Sequence, residues 1–91
     1  MPAERTPLAG QAAIVSGAAG DIGREIALAL ARAGADVSLG DVAEEARAKG
    51  ILEEIAKAGR RARYTRADVS DPAAVRRWVA AAEADLGPLS I

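Results

Sequence analysis

Hydrophobic positions along this chain switch between two periods. The run A-A-I-V-S, Ala12–Ser16, is short, mostly apolar and stopped by Gly17, which predicts a buried strand. From residue 22 to 33 the apolar positions Ile22, Ile26, Ala29, Leu30 and Ala33 recur at helical spacing, and Gly34 ends the pattern. D-V-S-L-G then reads as a second strand ending at Asp41. A second helix is expected over about residues 43–58, with Ala48, Ile51, Leu52 and Ile55 inward and Glu45/Lys49 and Glu53/Lys57 as supportive pairs outside. Gly50 costs roughly 1 kcal/mol relative to alanine in a helix interior, so a kink or break is expected there.

Gly59 closes that helix, and A-R-Y-T-R-A-D-V supplies a third strand that ends with Asp68 and Val69. Asp71 followed by Pro72 predicts a capped third helix with its stripe at Val75, Trp78, Val79, Ala82 and Leu86. Gly87 and Pro88 terminate it, and L-S-I reads as the first residues of a fourth strand. Strand–helix alternation with short links implies parallel strands and right-handed crossovers. The expected fold class is α/β: a three-layer Rossmann-type parallel sheet, incomplete, running β-α-β-α-β-α plus the start of a fourth strand.

Composition narrows the possibilities. At 91 residues the chain is at most one small domain, and alanine makes up about a quarter of it. The core must rest on about twenty Ile, Leu and Val side chains, since there is one Trp, one Tyr and no Phe. A net charge of −1 with interspersed signs argues against nucleic acid or anionic lipid as partner. Without cysteine or histidine there are no disulfides, and no metal site is expected. The polar opening residues and the lack of a long apolar run point to a soluble, cytoplasmic protein. Arg60, Arg61, Arg63 and Arg66 read as a solvated edge, because no aromatic platform accompanies them. Trp78 reads as packed against the sheet or a partner subunit.

The chemistry-bearing stretch is S-G-A-A-G-D-I-G-R-E, residues 16–25. Glycines at 17, 20 and 23 lie between the first strand and the first helix, where helix-start amides attract a pyrophosphate and missing Cβ atoms let it approach. A P-loop is excluded, since no Lys–Ser/Thr pair follows, and strict G-x-G-x-x-G spacing would need glycines at Ala19 and Ile22. The candidate cofactor-binding loop therefore comprises Gly17, Ala19, Gly20, Asp21, Ile22 and Gly23, the alternative being a tight turn without ligand. Asp21 is expected to cap the helix from the side, accepting from the Gly23 or Arg24 amide, with Arg24 as partial compensation. Asp41, eighteen residues after Gly23, can accept from both hydroxyls of an adenosine ribose and repel a 2′-phosphate. Hence NAD is preferred over NADP, unless Asp41 merely opens the turn or caps the second helix.

The chain resembles the short-chain dehydrogenase/reductase family from residue 8 to the C-terminus. Members commonly show T-G-x-x-x-G-I-G where this chain has S-G-A-A-G-D-I-G; Gly17, Ile22 and Gly23 match, while Asp21 stands at the middle glycine. The glycine spacing also suits the longer, epimerase-like branch of the family, whereas A-D-V-S-D and A-D-L-G-P-L-S-I resemble the shorter, single-domain members. The resemblance implies that Asp68 accepts from the adenine amino group and Val69 packs on the ring, a plain turn being the alternative for Asp68. It also implies a catalytic serine and a Tyr-x-x-x-Lys pair. The one tyrosine here, Tyr64, has Asp68 four residues on, and no lysine follows Lys57, so no catalytic residue is assigned. The chain is thus expected to be the N-terminal half of an NAD-binding domain, residues 1–91, without its catalytic half. In full-length form it would act on an alcohol/carbonyl substrate as a homo-oligomer. The alternatives are a non-catalytic dinucleotide-binding module and a truncated remnant.

Overall fold

The computed structural model describes residues 6–91, so most of the polar opening stretch lies outside the described residues. Strands β1 (Ala12–Ser16), β2 (Asp36–Asp41) and β3 (Ala62–Arg66) form a parallel sheet in chain order, with the helices α1 (Asp21–Arg32), α2 (Lys49–Lys57) and α3 (Pro72–Leu86) between and after them. The α/β, Rossmann-type architecture expected from the alternation is the one observed.

β2 is central and covered on both faces, which is why Val37, Ser38 and Leu39 are each at most 1% exposed. Val37 and Leu39 point into the core that α1 and α2 close with Ala27, Leu28, Ala31, Ile51 and Ile55. Burying each Val, Leu or Ile of this set stabilises by about 1.5–3 kcal/mol, and each alanine methyl by less than about 1 kcal/mol. Ser38 and Gly40 point the opposite way, toward α3. There Trp78 lies so close over Gly40 that an added Cβ would stand 2.4 Å from the indole.

The first helix presents a different face from the expected one. Gly23, Ala27, Leu28 and Ala31 are buried, while Ile22 is 78% and Ile26 49% exposed. The reason is steric. A Cβ on Gly23 would stand 2.1 Å from the Gly17 carbonyl oxygen, so α1 approaches the β1 loop through its smallest residues and turns the isoleucines outward.

The second helix keeps its expected inner face, Ala48, Ile51 and Ile55 with Leu52 partly buried, but begins as a 3₁₀ turn at Glu45–Ala48. The α geometry starts only at Lys49, so the break falls just ahead of Gly50. Neither Glu45/Lys49 nor Glu53/Lys57 forms an ion pair; among the described residues the pairs are Arg24–Glu25, Arg61–Asp36 and Arg63–Asp85. The third helix follows its sequence signals: Asp71 accepts from the Ala73 amide at 3.0 Å, Pro72 occupies the first turn, and Gly87 leaves the helix at φ 90°.

Beyond α3 the last residues lie beside β1. The Ser90 amide donates to Ala12 O and the Ile14 amide to Ile91 O, both at 3.0 Å, with a parallel bridge between Ala12 and Leu89. At the amino edge of the sheet, Asp36 receives the Arg61 amide at 2.8 Å and its guanidinium at 2.9 Å, while Arg61 also donates to Asp85 O. This ties the starts of β2 and β3 to the end of α3. No described helix is long and apolar enough to cross a membrane.

Candidate functional site

Parallel strands deliver their following loops to one edge of the sheet, where a ligand can reach backbone from several connections at once. Here those loops follow Ser16, Asp41 and Arg66. Gly17 takes φ 66°, a left-handed conformation open to glycine, and its carbonyl accepts from the Gly20 amide at 3.1 Å. The loop is then fastened to β2 twice. The Ala18 amide donates to Gly40 O at 3.1 Å, and the Ala19 amide donates to Asp41 Oδ2 at 3.0 Å.

Asp41 thus does something the sequence did not reveal. It ends β2 as expected, half-buried, but its carboxylate holds the glycine loop and also accepts from the Val42 amide at 2.7 Å. A carboxylate offers about four acceptor sites, so two remain for a diol.

α1 starts from Gly20 with no side-chain cap. The amides of Asp21, Ile22 and Gly23 lie in its first turn, where no intrahelical acceptor exists. The side chain of Asp21 is exposed, but the expected bond to the Gly23 or Arg24 amide does not form; the Arg24 amide donates to Gly20 O and its guanidinium pairs with Glu25. Among the described residues no side chain bonds to these amides, and Gly20 adds no Cβ in front of them. This is a cradle that fits a diphosphate.

Asp68 and Val69 lie in the turn after β3 rather than in the strand, because the ladder stops at the Asp41/Arg66 register. Asp68 Oδ1 accepts from the Ser70 hydroxyl at 2.7 Å and amide at 2.9 Å. These bonds, the hydroxyl first, hold its carboxyl below the usual aspartate value. Ser70 carries no warning in the sequence beyond its i+2 spacing from an aspartate. Ile22, Val42 and Val69, all more than half exposed, are three of the five exposed large hydrophobics among the described residues, and all three belong to this edge. A groove of about 360 Å³ continues from Val69 along Ile14, Ser16, Val75, Trp78 and Val79. A larger hollow of about 510 Å³ beside α2 shares no residue with these loops.

Tyr64 is structural. Its hydroxyl donates to Ala43 O and lies 3.3 Å from Asp41 O. Burial pushes its phenol up, the Asp41 charge adds to that, and Arg66 opposes it.

The chain matches the family model for short chain dehydrogenase over residues 11–91. It is 41% identical over 83 residues to the 2,5-dichloro-2,5-cyclohexadiene-1,4-diol dehydrogenase LinX of Sphingobium indicum, covering 91% of this chain and 33% of that protein. It is 40% identical over 90 residues to the hydroxynaphthalene reductase-like protein Arp2 of Metarhizium anisopliae, covering 97% of this chain and 34% of that protein. Among solved structures, a short-chain dehydrogenase/reductase from Serratia marcescens superposes with a TM-score of 0.86 at 34% identity, covering 91% of this chain and 34% of the other. A dehydrogenase/reductase from Sinorhizobium meliloti gives 0.86 at 40% identity, with 91% and 33% covered. The chain spans about a third of the length of these relatives. With its sheet, its glycine turn and its sequence in agreement, it belongs to the short-chain dehydrogenase family of oxidoreductases, whose members use a nicotinamide dinucleotide.

Proposed function

We propose that residues 1–91 form the N-terminal half of a dinucleotide-binding domain that prefers NAD to NADP. The full-length protein then moves hydride between NAD and an alcohol/carbonyl pair. When bound, the cofactor supplies the hydride acceptor; this chain's residues bind and orient it. The first-turn amides of Asp21, Ile22 and Gly23 receive the diphosphate, and the free acceptor sites of Asp41 receive the ribose hydroxyls. Asp68, with Oδ2 still available, accepts from the adenine amino group while Val69 covers the ring. Catalysis falls to residues outside this chain, since Tyr64 is engaged by the Ala43 carbonyl.

One observation carries the reading: the Asp41 carboxylate closes β2 and grips the same loop whose helix start is left uncapped. The test is calorimetric titration of the full-length protein with NAD and NADP, before and after Asp41→Ala. NAD affinity should fall about tenfold or more and discrimination against NADP should relax. Unchanged affinity and unchanged discrimination would overturn the assignment.

A further inference from the structure

Arg66 ends β3 in parallel register with Asp41, so the two side chains leave the sheet on the same face at its carboxyl edge. They do not pair with each other. Asp41 engages the Ala19 and Val42 amides, and Arg66 donates through Nε to the Val42 carbonyl at 2.8 Å. Val42 is therefore held from both sides. The Arg66 side chain is exposed and has no carboxylate partner among the described residues. Both charges reach the Tyr64 hydroxyl, with opposite sign.

We propose that Arg66 is a second determinant of dinucleotide choice, flanking the 2′ side of the adenosine ribose and receiving a 2′-phosphate once the Asp41 charge is removed. This rests on the dinucleotide reading above. A ribose hydroxyl held by Asp41 would lie beside Val42, whose amide the same carboxylate accepts from. The guanidinium, fixed to the Val42 carbonyl through Nε, stands beside it, and among the described residues its terminal nitrogens have no partner and can donate. Asp41 repels a phosphate there and Arg66 attracts it, so the margin in favour of NAD is the difference of two opposed charges.

The probes are adenosine 2′,5′-bisphosphate and adenosine 5′-monophosphate, titrated into the full-length protein and its Asp41→Asn, Arg66→Gln and doubly substituted forms. Asparagine keeps an acceptor for the Ala19 amide; Asp41→Ser is the second variant should Asp41→Asn fail to fold. Removing the Asp41 charge should tighten the bisphosphate about tenfold or more, and Arg66→Gln in that background should abolish the gain while leaving the monophosphate within about threefold. Raising the salt concentration should shrink the gain. Equal bisphosphate affinity with and without Arg66 overturns this inference alone. Failure of the unsubstituted protein to bind the monophosphate or NAD overturns the dinucleotide reading and this inference with it.

Discussion

The Trp78 indole donates from Nε1 to the Ser38 hydroxyl across 2.9 Å, with both residues at most 3% exposed. This single bond joins α3 to the central strand three residues before Asp41. It also explains a serine in the buried middle of the strand: the hydroxyl is the acceptor that lets an indole be buried on the sheet. Gly40, two residues on, leaves room for the ring.

Either partner alone should therefore be costly to remove. Trp78→Phe strands the Ser38 hydroxyl and Ser38→Ala strands the indole N–H, each at about 1–3 kcal/mol. The double substitution should cost less than the sum, with a coupling of about 1 kcal/mol in urea unfolding of the full-length protein. Strict additivity would mean that the bond contributes nothing.

Gly23→Ala tests the approach of α1 to the loop. The new methyl would stand 2.1 Å from Gly17 O and 2.6 Å from Gly17 C, both backbone atoms that cannot rotate away. The helix or the loop must shift, at about 1–3 kcal/mol or more. Because the same shift moves the first-turn amides, NAD affinity should fall with stability. Gly20→Ala is the control: its Cβ would meet Gly17 O at an ordinary 3.4 Å, so thermal stability should change little. A Gly23→Ala protein with native melting temperature and native affinity would contradict the steric account.

How far the sequence could be read depended on whether a residue's role was local. Strand and helix order, the Asp71 cap and the Gly87 stop follow from neighbours in the chain, and all are in the structure. The inward face of α1 departs from the hydrophobic pattern because hydrophobicity ranks isoleucine above glycine and alanine, whereas close approach to Gly17 O selects the smaller residues. The wider site was legible as residue types but not as contacts. Asp41 was visible as an acid closing a strand; its bond to the Ala19 amide spans 22 positions and depends on strand register. Arg66 was grouped with Arg60, Arg61 and Arg63 by proximity in sequence. In space Arg60 goes to Gly34 O, Arg61 to Asp36 and Asp85 O and Arg63 to the Asp85 carboxylate, while Arg66 alone reaches the carboxyl edge, at Val42 O.

Asp36 gives the fold an acid-sensitive tie. Burial alone would raise its carboxyl, but the Arg61 amide and guanidinium outweigh this and hold it below its ordinary value of 3.8. A depressed folded value means that the contribution is complete above the unfolded value and is lost as pH falls through the folded one. Asp36→Asn should therefore destabilise modestly at pH 7, since Arg61 is largely exposed and screened by salt. The gap from the unsubstituted protein should begin to close as pH falls past the ordinary value of 3.8 and go on closing below it. A gap that widened on acidification would reverse the sign of the assignment.

On the proposed diphosphate site Asp21 is the sharpest conflict, because its charge favours the helix and would oppose an anionic ligand at the same amides. A negative charge in the first turn stabilises a helix by roughly 0.3–1 kcal/mol. Against a phosphate about 8 Å away the same charge costs about 0.5 kcal/mol in water-like screening and about 2 kcal/mol at an effective dielectric of about 20. The side chain is exposed and makes no cap bond, which places it toward the weaker end of that range. Asp21→Asn should lower the melting temperature slightly while tightening NAD about two- to tenfold, the tightening fading as salt is added. Loss of NAD affinity in Asp21→Asn would instead show that the carboxylate itself touches the cofactor, and the backbone-only role of this residue would have to be abandoned.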